Sequence, residues 1–241
     1  MRYGRLARGS TKLGAVSAAA AAVVLMLVLA ATALAAPAPT TWTVSPASKI
    51  ITYGHGVTLN GTLKSSGAAI SGLWVDLAQA TTQSGSYTVM FKVTAPSGPY
   101  ATGTYSIAVM PLQTMYYRFQ WPGDLTYAAS NSDVVPVQVK PSLGKPTCPS
   151  SVKSGKKFTV SGSIKPGQGA GPAVKIKAYR KNSSGAYASY KTYSATISGT
   201  TYKASITITK TGTYKFKATT AGSARFAANE TSLSAALKIT N

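Results

Sequence analysis

Acidic side chains are almost missing from this chain: its 241 residues hold Asp76, Asp124, Asp133 and Glu230 and no other carboxylate, and His55 is the only histidine. Most hydrolytic mechanisms run on a carboxylate pair, a histidine relay or a metal held by such groups. The sequence therefore points away from an enzyme, and no catalytic residue is assigned. The same shortage argues against a calcium site of clustered carboxylates, and no metal or other cofactor is expected. Cys148 is the only cysteine, so no intrachain disulfide can form. Within Thr147-Cys148-Pro149 it reads as a small, half-buried apolar residue, the alternatives being a free thiol or an intermolecular link. A monomer is expected, or a Cys148-linked dimer.

What the chain does contain is Thr, Ser, Ala, Gly, Val and Tyr, with Lys as the main charged residue. Little Leu, 22 Gly and 14 Tyr suit strands and turns better than helices. The exception is the beginning. Residues 1–17 carry Arg2, Arg5, Arg8 and Lys12 and no acid, 18–31 are continuously apolar, and Ala33-Leu34-Ala35 offers a small-x-small site. That order reads as a secretory signal over 1–36, cleaved after Ala35 or Ala36. The alternative is an uncleaved N-terminal membrane anchor. Either way residues 37–241 are expected outside the cell, secreted or retained at the envelope, because the basic flank stays in the cytoplasm.

The remaining chain repeats with a period near 100 residues. Gly54-His-Gly-Val-Thr-Leu-Asn-Gly-Thr-Leu-Lys64 matches Gly155-Lys-Lys-Phe-Thr-Val-Ser-Gly-Ser-Ile-Lys165. Leu73-x-Val75-x-Leu77 matches Val174-x-Ile176-x-Ala178, Tyr117-Arg118-Phe119 matches Tyr214-Lys215-Phe216, and Tyr127-Ala-Ala matches Phe226-Ala-Ala. Each repeat offers about seven segments of period-2 alternation between Gly, Pro, Ser or Asn turns, the pattern of an all-β sandwich. In the first repeat these fall at 57–63, 73–79, 87–94, 104–110, 115–121 and 134–140. In the second they fall at 158–164, 174–179, 190–197, 202–209, 213–219 and 233–240. The leading strand is weak in both. The expected modules are 37–141 and 142–241, joined near Pro141-Ser-Leu-Gly-Lys-Pro146 as a semi-rigid, beads-on-a-string pair.

Gly-x-x-Val-Thr-Leu-x-Gly, Gly67-Ala-Ala-Ile-Ser-Gly72 and Tyr117-Arg118 leading to Gly123-Asp124 resemble the bacterial immunoglobulin-like repeats of secreted and cell-surface proteins. Gly212-Thr213-Tyr214 looks like the tyrosine corner of such sandwiches, where the hydroxyl ties a loop back to its strand. The resemblance covers 41–241. It implies two tandem immunoglobulin-like Greek-key β-sandwiches in spacer, adhesion or wall-associated roles, and it transfers no binding residue, since such modules share a fold and differ in ligands.

Charge is uneven between the modules. Residues 36–140 hold five basic residues against three acids, for +2, whereas 141–241 hold sixteen against Glu230, for +15. Alternation decides where these side chains point. With Val174, Ile176 and Ala178 inward, Lys175, Lys177 and Tyr179 face out. With Tyr214, Phe216 and Ala218 inward, Lys215 and Lys217 face out, and Lys238 does so between Leu237 and Ile239. These three strands share one sheet of the sandwich. The other sheet presents Thr159, Ser161, Ser163, Lys203, Ser205, Thr207 and Thr209. The lysine face suits a polyanion: an anionic cell-envelope polymer or acidic polysaccharide, with extracellular DNA or anionic lipid as non-specific alternatives. A solvated, solubilising surface is the plain alternative. The first module puts Trp74, Asp76, Tyr116 and Arg118 on the corresponding face, an aromatic-polar patch for a sugar or protein if Trp74 is exposed, and a core tryptophan if it is not. The sequence thus supports an envelope-associated binding or structural protein, for adhesion, wall attachment or spacing. The competing reading is a released ligand-binding or inhibitory protein.

Overall fold

Period-2 alternation becomes strand in both halves of the chain, because each repeat buries one face of each segment and wets the other. The computed structural model describes residue 1, residues 35–95 and residues 102–241. Apart from Met1, Ala35 and Ala36, the expected signal segment lies outside the described residues. The first half forms β1 (Thr40–Ser45), β2 (Lys49–Thr52), β3 (Val57–Ser65), β4 (Ala68–Ala69), β5 (Trp74–Ala80), β6 (Thr88–Thr94), β7 (Thr104–Val109), β8 (Met115–Trp121), β9 (Ser130–Asn131) and β10 (Val135–Lys140). The second forms β11 (Ser142–Leu143), β12 (Ser151–Lys153), β13 (Lys157–Lys165), β14 (Val174–Lys181), β15 (Tyr187–Ser194), β16 (Thr196–Ser198), β17 (Thr201–Thr207), β18 (Gly212–Thr220), β19 (Asn229–Glu230) and β20 (Leu237–Thr240). No helix occurs among the described residues, and the fold is all-β.

Four sheets result, two from each half. In the first half, β1-β3-β4 with β7 on β3 faces β2-β10-β8-β5-β6 with β9 on β8. The second repeats the plan, with β11-β13-β17-β16 opposite β12-β20-β18-β14-β15 and β19 on β18. Each pair closes on its own core. Leu59, Leu63 and Tyr105 meet Val75, Leu77, Phe119 and Val137 in the first. Val160, Ile164 and Tyr202 meet Ile176, Phe216 and Leu237 in the second. The internal glycines of the repeat now have a reason. A Cβ at Gly61 would sit 2.7 Å from the Phe119 ring, and one at Gly162 would strike the Tyr202 hydroxyl. Both glycines make room for an aromatic side chain.

The weak leading strand divides in two. In each half it pairs first with the long strand of one sheet (β1 on β3, β11 on β13), then crosses to lie parallel to the last strand of the other (β2 on β10, β12 on β20). Short pieces in two sheets leave no long alternation to read. The segment expected at 190–197 also splits. Residues Tyr187–Ser194 extend the β14 sheet, and Thr196–Ser198 turn over to join β17. The tyrosine corner is present: Tyr214 Oη donates to the Lys210 carbonyl at 2.8 Å.

The two halves are not beads on a string. Residues Ala38–Asn241 form one compact unit. Phe226, from the loop between β18 and β19, is 2% exposed and lies in the core of the first half rather than its own. Backbone bonds flank it: Thr114 N donates to Arg225 O and Ala227 N to Val139 O, both at 2.8 Å. Asn229 Nδ2 adds a 2.7 Å bond to Pro141 O, and Arg225 Nε one of 2.8 Å to Gln113 Oε1. Pro141 and Pro146 are buried, so the linker is part of a packed joint.

Candidate functional site: a cationic sheet face and its groove

Strand phase delivers the expected lysine face. Val174, Ile176, Ala178, Tyr214, Phe216, Ala218, Leu237 and Ile239 are all buried, and the residues between them turn outward. On β14 these are Lys175, Lys177 and Tyr179; on β18, Lys215 and Lys217; on β20, Lys238. Register fixes their neighbours. Lys177 lies directly across from Lys217, Tyr179 across from Lys215, Lys175 across from Thr219, and Lys238 across from Thr213. Two ammonium groups on one cross-strand pair repel each other, and the pair alone would cost stability.

The fold answers that repulsion with the only acid of this half. Glu230 arrives on β19 beside β18 and accepts from Lys217 Nζ at 2.9 Å, the one ion pair among the described residues. That hydrogen bond and the Lys217 charge, with a smaller contribution from Lys177, hold the Glu230 carboxyl below its ordinary value. The pair also raises Lys217. A depressed carboxyl favours the folded chain above its ordinary titration range, and this contribution is lost as pH falls through the lowered value. Glu230 is too exposed for the effect to be large. Lys215 is occupied differently, its Nζ 4.7 Å from the centre of the Tyr187 ring.

Lys175 and Lys177 also line a groove of about 910 Å³ where the two sandwiches meet. Lys140 enters it from the end of the first sandwich, Arg225 from the loop carrying Phe226, and Glu230 from β19. Small residues make up much of the wall, among them Gly169, Gly171, Ala173 and Gly222. Four cations against one acid therefore border a cleft whose two sides are locked together by the Phe226 joint. Lys140, Arg225 and Glu230 escaped the sequence reading, because their convergence depends on a contact between halves that no alternation encodes.

The opposite sheet is less bare of charge than the alternation first implied. Lys157 and Lys165 stand exposed at the ends of β13, in phase with Thr159, Ser161 and Ser163, and Lys203 is exposed on β17. What distinguishes the β14–β18–β20 face is that its lysines sit side by side at the centre of a sheet and continue into a groove.

The first-half patch does not form as a unit. Trp74 is 62% exposed, as the outward reading requires. Asp76 lies across from Gln120, Ala78 from Arg118 and Ala80 from Tyr116. Trp74 and Tyr116 are thus at opposite ends of the strand pair, about 20 Å apart at roughly 3.3 Å per residue. Arg118 makes no ion pair with Asp76; its guanidinium stacks on Tyr87 at 4.2 Å. Two residues, Trp74 and Asp76, remain together. His55 is exposed in its turn.

Cys148 is half-buried, its Sγ 3.7 Å from Ala235 O and 3.9 Å from Ser234 Oγ. Burial pushes the thiol above its ordinary value, with a smaller opposing effect from Ser234.

No protein-family model matches this chain, and no curated protein matches it.

Proposed function

We propose that this protein is an exported pair of immunoglobulin-like modules, held at the cell envelope by binding an anionic polymer along the β14–β18–β20 face of the second module and in the adjoining groove. The role that follows is adhesion, wall attachment or spacing. The observation that carries this reading is the side-by-side placement of Lys177 and Lys217 at mid-sheet, continued by Lys175, Lys140 and Arg225 into one cleft. A polymer with phosphates or carboxylates at regular spacing would pair with Lys175, Lys140 and Arg225, which the single acid Glu230 does not neutralise. Lys217 is best seen as shared between Glu230 and ligand, and Tyr179 as packing beside Lys215.

The test is salt-titrated binding of residues 37–241 to poly(glycerol phosphate), an acidic polysaccharide, duplex DNA and anionic lipid vesicles. Affinity should fall steeply with salt, since each contacted charge releases a counterion. Reversing Lys175 and Lys177 to Glu should weaken binding much more than reversing Lys157 and Lys203, which changes net charge equally on the other sheet. E230Q should tighten binding and steepen the salt slope by roughly one counterion, because Lys217 becomes free. Equal losses from the two double reversals would reduce the site to diffuse positive charge. Recovery of the protein from the medium rather than the envelope fraction would favour a released binding protein instead.

A further inference from the structure

We infer that the first sandwich carries a second, separate site: a shallow saccharide-binding cleft built from Trp74, Asp76, Gln120 and Asn131. The four belong together by register. Asn131 on β9 lies across from Gln120 on β8, Gln120 across from Asp76 on β5, and Asp76 across from Lys92 on β6. A continuous polar row therefore crosses four strands on the solvent side of the sheet, beneath which Val75, Leu77 and Phe119 are buried. At about 4.8 Å between strands the row is roughly 14 Å long. Trp74 stands on the same face two residues from Asp76. Continuing the β5–β8 register by one step on that face puts it across from Pro122.

A cavity of about 340 Å³ lies against this row, lined by Asp76, Gln120, Asn131, Ser130 and Pro122 among others. That is at the small end of the range for ligand sites, about 300–1,000 Å³. Its polar groups are held ready. With the Gln120 amide turned so that its oxygen meets the guanidinium, it accepts from Arg118 Nε at 2.9 Å and Nη2 at 2.7 Å. Arg118 in turn is fixed by its stack on Tyr87. The Gln120 NH2 is thereby turned away from Arg118. Asp76 is only half exposed, yet no hydrogen bond or ion pair to another described residue engages its carboxylate.

The chemistry of the row selects the ligand class. Asp76 accepts, Lys92 donates, and the amides of Gln120 and Asn131 do both. Asp76 and Lys92 carry opposite charges across one strand pair, and the Arg118 guanidinium beside the row is taken up by the Gln120 oxygen and the Tyr87 ring, so the row presents no unengaged charge of one sign to draw an ion. An apolar ligand would bury these groups without partners, which is costly. A hydroxyl both donates and accepts and fits such a row anywhere. A pyranose carries hydroxyls on its rim and C–H bonds on its face, and the exposed Trp74 ring offers an apolar surface for that face. The ligand class is therefore a neutral oligosaccharide, lying along the row with one ring over Trp74.

The probes are cellotriose, maltotriose and the N-acetylglucosamine trimer, titrated into residues 37–241 while following tryptophan emission and heat. At least one should give a saturable blue shift with a Kd of about 1 mM or tighter. The affinity should be the same at about 0.15 M and about 1 M salt, since no net charge is contacted. W74A should abolish the shift, D76N and Q120A should weaken binding about tenfold or more, and K175E/K177E should leave it unchanged. W74A should melt as wild type does, because Trp74 is exposed. Absence of saturable binding by all three probes, or W74A binding as tightly as wild type, would overturn the site. Loss of sugar binding in K175E/K177E would place the sugar at the cationic groove and overturn it equally.

Discussion

Replacing Phe226 with alanine should destabilise the half of the molecule to which Phe226 does not belong by sequence. The ring is 2% exposed and packs in the first core, while the second core cluster contains no residue of the first half. A buried Phe→Ala change costs about 3–5 kcal/mol, and the lower end applies here because the loop at the rim of the core can relax. For a sandwich of this size each kcal/mol shifts the melting temperature by about 4–8 °C, so ~3 kcal/mol becomes about 12–24 °C. The protein supplies its own reporter. Trp42, Trp74 and Trp121 all lie in the first half. Tryptophan emission therefore follows the first sandwich alone, while far-ultraviolet circular dichroism follows both. In F226A the tryptophan-detected melt should move down by that amount, and the dichroism should split into two transitions. The same reasoning predicts that residues 142–241 fold alone, whereas 37–141 alone melts early for want of the ring. A tryptophan melt of F226A superimposable on wild type would refute the coupling and restore the semi-rigid, beads-on-a-string pair.

The converse experiment is Y214F, which removes the 2.8 Å bond to the Lys210 carbonyl and should cost the second sandwich about 1 kcal/mol, visible as a lower midpoint by dichroism. An unchanged midpoint would show that this bond does not stabilise the second sandwich. Cys148 should label slowly with a thiol reagent at neutral pH, and the protein should sediment as a monomer without reductant, because burial raises the thiol and leaves little thiolate. Fast labelling, or a reductant-sensitive dimer, would mean that Cys148 is reachable.

Long alternating runs were legible in the sequence, because burial of every second residue is a local signal. Lys175, Lys177, Lys215, Lys217 and Lys238 face outward as their phase requires, and Trp74 does so at a position where a lysine stands in the second repeat. What escaped was whatever depends on a partner far along the chain. The two- to six-residue pieces of the leading strand gave no period, so their crossing between sheets was invisible. Trp74 and Tyr116 share a face in phase, but antiparallel register sends them to opposite ends of it. Phe226 aligns with Tyr127, and nothing in that match says that one ring enters the neighbouring core. Lys140 and Arg225 meet only because it does. A hint lay in the repeat itself: Tyr127 and its neighbours also bond the chain entering their own module, with Ala38 N donating to Thr126 O and Ala128 N to Ala38 O, both at 2.8 Å. The loop at Phe226 grips Val139 in the same way.

The parallel strand pair in each half has a mechanical meaning. Thr52 lies beside Lys140 and Lys49 beside Val137, and in the second half Lys153 lies beside Thr240. Tension drawn through the ends of a sandwich pulls one of these neighbours by its start and the other by its finish. The strands must then slide past each other, and their hydrogen bonds are strained together instead of opening one at a time as in a peeled hairpin. Rupture under load is governed by the unfolding rate rather than by equilibrium stability, and a sheared pair makes that rate slow. A protein that grips a polymer by one face and is tugged along its length would hold like a lap joint, with the Phe226 seam carrying load from one sandwich to the next.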